Sequence, residues 1–126
     1  MEKFELEIKT MLTVTAEDID DIITTAFEGG INYWCNRAEV VGDYLGEFAS
    51  DQISRGGAVR LYDAENDDVY ELTLEKVLKG IQKACEEHWF QDYEWCDGKT
   101  IDTCQVDGAV ADAIVQLALF DDVIFG

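Results

Sequence analysis

The sequence predicts an α+β fold: a small, mainly antiparallel sheet covered by three main helices, in a single domain spanning residues 1–126. Three observations carry that expectation. Apolar residues recur at helical spacing in three separate stretches. Two short apolar runs flank a polar, turn-prone tip, as in an antiparallel hairpin. The order strand, helix, strand, short helix, hairpin, helix, helix lacks the strict alternation of a parallel sheet.

Each element has a local reason. Phe4, Leu6 and Ile8 alternate with Glu5, Glu7 and Lys9, which predicts a half-buried first strand. Thr15 is suited to cap a helix that has Glu17 and Asp18 in its first turn. Ile19, Ile22, Ile23, Ala26 and Phe27 follow as its inner stripe. Gly29 and Gly30 would close it, because glycine tolerates the left-handed conformation after a helix. Residues 33–41 are aromatic and β-branched and predict a second strand. On such a strand Tyr33 and Trp34 would point to opposite faces. Residues 48–54 predict a short helix closed by Gly56 and Gly57.

Residues 58–62 and 69–72 predict the hairpin, with residues 63–68 as its tip. Thr73 would cap a helix reaching about Glu87, with Leu74, Val77, Leu78, Ile81, Ala84, Cys85 and His88 inward. Residues 89–102 read as a loop. Asp107 would cap the last helix, with Val110, Ala113, Ile114, Leu117 and Phe120 inward. Residues 123–125 suggest a short terminal strand.

Composition narrows the function. The chain has 126 residues, with 9 Lys plus Arg against 28 Asp plus Glu, a net charge of −19. Apolar residues make up 48%, too many for a disordered acidic tail. Such a charge opposes direct binding to a nucleic-acid backbone or an anionic membrane surface. The N-terminal residues lack the apolar core of a signal peptide, and no stretch is long enough to span a bilayer. The four cysteines, Cys35, Cys85, Cys96 and Cys104, are irregularly spaced and read as reduced thiols. The expected compartment is therefore a bacterial cytoplasm, or a host's if the chain is viral.

No motif dictates a reaction. Cys85 and His88, with Cys96 and Cys104, offer zinc-type donors, but Cys96 and Cys104 lack paired ligand spacing. Unpaired thiols in a core and a loop are the simpler reading. The single histidine has no nucleophile signature around it. The many carboxylates read as solvated surface. No phosphate-binding glycine loop is present. The expectation is a protein that is not an enzyme and needs no metal or cofactor.

The arginines are more informative. Arg37, Arg55 and Arg60 are the only three, and they fall within 24 positions. Guanidinium forks suit phosphate or carboxylate. Pairing of each arginine with a neighbouring Asp or Glu is the plainer alternative. Asn32, Tyr33 and Trp34 offer stacking and hydrogen bonding to a base, although aromatic residues also fill small cores.

The stretch GGINYWCNRAEVVGDYLGEFASDQISRGG, the helix LTLEKVLKGI and the end IDTCQVDGAVADAIVQLALFDDVIFG resemble a family of small acidic proteins. These come from phages, prophages and integrative elements of Firmicutes, and the resemblance runs from the first helix onward. That family is in turn similar to the Thoeris anti-defence sponges, which bind cyclic signalling nucleotides of bacterial immunity without cleaving them. The resemblance implies a phage-encoded homo-oligomer that sequesters a small anionic nucleotide in the host cytoplasm. Arg55 and Arg60, with Arg37, would hold phosphate, Trp34 or Tyr33 would stack on adenine, and Asn32 would read an edge. No arginine follows Arg60, so a C-terminal arginine of such a site has no counterpart. The alternative is an acidic inhibitor, an anti-CRISPR or DNA mimic, that blocks the basic groove of a host defence protein. A small hydrolase or metal-binding protein is the third reading.

Overall fold

The computed structural model describes residues 2–4, 11–86 and 95–126. The expected first strand falls mainly on residues outside these, as do His88 and part of the expected loop at 89–102. The described residues form an α+β domain in which one three-stranded antiparallel sheet is covered by helices on one face. None of its helices is long and apolar enough to cross a membrane.

Helix α1 spans Ala16–Thr25. Thr15 and Asp18 cap it reciprocally: the Thr15 hydroxyl accepts from the Asp18 N–H and the Asp18 carboxylate from the Thr15 N–H, both at 3.0 Å. Ile19, Ile22 and Ile23 are buried. The helix widens into a π-type turn over Ala26–Gly30. Neither Gly29 nor Gly30 is left-handed. Gly30 is instead required by proximity, since a Cβ there would lie 2.8 Å from the Gly108 carbonyl oxygen.

Strand β1 covers Cys35–Val40, β2 Ala58–Asp63 and β3 Val69–Thr73, in the spatial order β1-β2-β3. Tyr33 and Trp34 thus precede β1 rather than lying on it. An irregularity at Asn36, between the pairs Cys35 with Asp63 and Arg37 with Tyr62, lets Cys35 face inward and Arg37 outward. Val59, Leu61 and Leu72 form the inner face and are fully buried. The outer face carries Arg37, Tyr62 and Val69 in one row and Glu39, Arg60 and Glu71 in the next. The expected short helix is a pair of 3₁₀ turns, Ala49–Asp51 and Ile53–Arg55, closed by left-handed Gly56.

Helix α2 spans Leu74–Glu86 and α3 spans Gly108–Phe120. The Thr73 hydroxyl accepts from Lys76 N–H at 3.4 Å, and the Asp107 carboxylate from Val110 N–H at 2.9 Å. Val77, Ile81 and Ala84 face inward from α2, whereas Leu78, expected inward, is exposed. The two helices touch through Gly80, where a Cβ would lie 2.5 Å from the Ile114 carbonyl oxygen. Every residue of α3 from 110 to 117 is buried, so it is the central element of the core. Full burial of a side chain such as Ile114 contributes about 1.5–3 kcal/mol. Asp121 ends α3 in a left-handed conformation, and Lys83 of α2 holds its carboxylate at 2.7 Å.

Residues 123–125 do not form the expected strand. They run back along α3, with the N–H groups of Ile124 and Phe125 both donating to Gln116 Oε1 at 2.8 Å.

Candidate functional site

The turn before β1 is fixed by α3. Tyr33 Oη donates to Asp112 Oδ2 at 2.5 Å and Trp34 Nε1 to Asp112 Oδ1 at 2.7 Å. Gln116, one turn further along α3, donates from Nε2 to Asp112 Oδ1 at 2.9 Å. The two aromatics therefore converge on one carboxylate instead of diverging to opposite faces. Trp34 is buried and stacks flat on Phe125, with centroids 4.8 Å apart and planes 5° apart. The ring face proposed for adenine is covered by that phenyl group. Tyr33 stays exposed on one side, and its hydroxyl is pushed up to about 12 by burial and by the Asp112 carboxylate. Sequence reasoning missed Asp112 and Gln116. Their signal is two polar residues four apart on an otherwise apolar helix.

The arginines divide between two places. Arg37 and Arg60 lie on the outer sheet face, on adjacent strands, and share Glu39. Arg37 pairs with Glu39 Oε2, and Arg60 Nη1 lies 3.8 Å from Glu39 Oε1. Tyr62 Oη donates to the same Oε1 at 2.9 Å, and the Arg37 guanidinium sits 5.0 Å above the Tyr62 ring. Glu39 thus draws both guanidiniums onto the sheet. Arg55 lies at the end of the second 3₁₀ turn, where Nη1 donates to the Asp51 carbonyl at 2.8 Å.

Beside β1 lies a cleft of about 330 Å³, lined by Phe27, Ile31, Asn32, Cys35, Asn36 and Arg37 among others. It brings together two of the six expected ligand residues, Asn32 and Arg37. Tyr33, Trp34, Arg55 and Arg60 do not line it. A second cleft of about 510 Å³, bordered by Leu12, Leu78 and Ile81, contains Cys85 and Cys96. Burial and the neighbouring Cys96 thiol push the Cys85 thiol well above its usual range. Among the described residues, no three His, Cys, Asp or Glu side chains are placed to hold a metal ion.

The loop over residues 42–48 is the other prominent surface feature. It exposes Tyr44, Leu45 and Phe48, each more than half accessible. Beneath it Gln52 is fully buried. Gln52 Oε1 accepts from Leu45 N–H at 2.5 Å, and Nε2 donates to the carbonyls of Phe48 at 2.7 Å and Gly46 at 3.2 Å. Gly46 has no room for a side chain, since a Cβ would lie 2.5 Å from Asp51 Cβ.

Comparison with protein-family models, curated proteins and solved structures gives no match for this chain.

Proposed function

We propose that this chain is a non-catalytic acidic binding protein that occupies a basic, nucleic-acid-binding surface on a protein partner. The resemblance to phage and integrative-element proteins makes a host defence enzyme the fitting partner class. One observation carries the reading. Of the three arginines expected to hold phosphate, Arg37 and Arg60 are engaged by Glu39 on an open sheet face and Arg55 by the Asp51 carbonyl. With 28 Asp plus Glu against 9 Lys plus Arg, carboxylates dominate the charge. At physiological salt, charge is screened over about 8 Å, so closely spaced carboxylates still act together on a partner in contact. Steered association of this kind is fast and strongly salt-dependent.

The cleft holding Asn32 and Arg37 favours a second reading, sequestration of a small cyclic nucleotide by a homo-oligomer. There Arg37 would leave Glu39 for phosphate, and Phe27 would replace Trp34 against the base. Calorimetry with cyclic adenine nucleotides separates the two. The first reading expects no binding at micromolar concentration. It also expects the chain to displace nucleic acid from a basic defence enzyme, with affinity falling steeply as salt rises. Micromolar nucleotide binding that is lost in Arg37→Ala would reverse the order.

A further inference from the structure

We propose that the loop over residues 43–48 is the docking element of this chain, and that it enters an apolar pocket rimmed by Lys and Arg on the partner protein. This deepens the reading above and rests on it. Three large apolar side chains stand in solvent within five residues: Tyr44 at 62%, Leu45 at 52% and Phe48 at 62% exposure. Isolated exposed apolar residues are ordinary, but a cluster of this kind on a charged surface marks an interaction site. The loop backbone is held from below by polar contacts, while Leu45 Cδ1 also lies against Gly57, where an added Cβ would meet it at 3.2 Å.

Those contacts are what make it a docking element. Gln52 is fully buried and spends its amide on the backbone of residues 45, 46 and 48. Asp51 accepts from Phe48 N–H at 3.0 Å, and Arg55 holds the Asp51 carbonyl. A loop fixed before it meets its partner loses little conformational freedom on binding. Aromatic anchors on such a loop are the residue types that dominate interface energetics.

Charge selects the occupant. Asp43 and Glu47 are exposed beside the apolar side chains, and Asp51 lies at the base, so three carboxylates face the single cation Arg55 there. An apolar tip with an acidic rim is complementary to an apolar pocket with a basic rim. It is not complementary to a second copy of a chain carrying −19 charges.

The test places a photo-crosslinking benzophenone residue at position 45 of the full chain, and in a control at the exposed position 82 of α2. After irradiation in a lysate of a Firmicutes host, the protein captured only through position 45 is purified. Its affinity is then measured for the wild-type chain and for a Tyr44→Ser, Phe48→Ser double variant of unchanged thermal midpoint. The expected result is a loss of about 30-fold or more, as for hot-spot truncation. Asp43→Asn with Glu47→Gln should weaken binding mainly at low salt. Equal affinity of the double variant would overturn the docking loop while leaving the acidic-partner reading standing. Crosslinking of the loop to a second copy would overturn the assigned occupant. Failure of the purified protein to bind the wild-type chain, or capture of nothing through position 45, would overturn the docking loop. Failure of the wild-type chain to displace nucleic acid from the captured protein at any salt concentration would overturn the underlying reading separately.

Discussion

The indole Nε1 of Trp34 donates to Asp112 Oδ1 at 2.7 Å, joining residues 78 positions apart. The same carboxylate accepts from Tyr33 and Gln116. Asp112 is thus the shared acceptor that fixes the turn before β1 to the central helix.

Replacing that acceptor should be costly. Asp112→Ala leaves the buried Trp34 indole N–H without its acceptor, whereas the Gln116 amide keeps Tyr33 Oη at 3.2 Å and the Phe125 carbonyl at 3.3 Å. A buried donor left unsatisfied costs about 1–3 kcal/mol, which is the expected loss. Asp112→Asn keeps one acceptor oxygen and should lose less. Urea unfolding with an unchanged slope would measure both. A loss below about 1 kcal/mol for Asp112→Ala would show that the turn is held otherwise.

Gly80 tests the contact between α2 and α3. In an exposed helix, Gly→Ala stabilises by up to about 1 kcal/mol. Here the added Cβ would meet the Ile114 carbonyl oxygen at 2.5 Å and Ala118 N at 2.9 Å, both backbone atoms. Gly80→Ala should therefore destabilise, by about 1–3 kcal/mol. A rise in the thermal midpoint would refute this close approach.

Much of the fold is legible because local chemistry and tertiary contacts agree. Thr15 and Asp18 cap α1, Asp107 caps α3, and the hairpin follows its apolar runs. The rest depends on distant partners. Tyr33 and Trp34 look like strand residues but are taken out of the strand by Asp112, which no local pattern connects to them. Residues 123–125 have strand-like composition, yet the Gln116 side chain takes the place of a neighbouring strand. Gly30 reads as a helix stop and is a point of contact with Gly108. The arginines are neighbours in sequence, but strand geometry puts Arg37 and Arg60 on the outer face while Arg55 closes a separate turn. Glu39, one carboxylate among 28, carries no mark in the sequence of its place between them.

Two tyrosines set an alkaline limit. Tyr70 donates from Oη to Asp63 at 3.0 Å, and burial followed by that bond moves its hydroxyl from 10.0 to about 12. Tyr33 is moved to about 12 by burial and Asp112. Because these folded values are raised, the stabilisation is full below about pH 10 and is lost as pH rises towards 12. Asp63 behaves oppositely. The Glu65 N–H and the Tyr70 hydroxyl lower it, so its contribution is present above about pH 4 and lost as pH falls further. Tyr70→Phe should flatten the alkaline decline of the unfolding free energy. An unchanged slope between about pH 10 and 12 would contradict the assignment.

The thiols should separate into classes. All four are free, with Cys35 and Cys96 buried, Cys85 intermediate and Cys104 exposed. Burial pushes the Cys35 thiol up, and Cys85 is pushed up strongly by burial beside Cys96. Thiol titration should therefore count one fast group in the native protein, Cys104, and four in denaturant without reductant. Two or fewer in denaturant would reveal disulfides and remove the argument for a reducing compartment.

The enclosure of α3 has a kinetic meaning. A helix walled in along residues 110–117 by α2, by the turn after α1 and by the sheet has no side from which to fray alone. Its central amides should exchange with deuterium only through opening of the whole molecule. The slowest of them, near Ile114, would then serve as an internal clock for global unfolding, readable in any variant without denaturant.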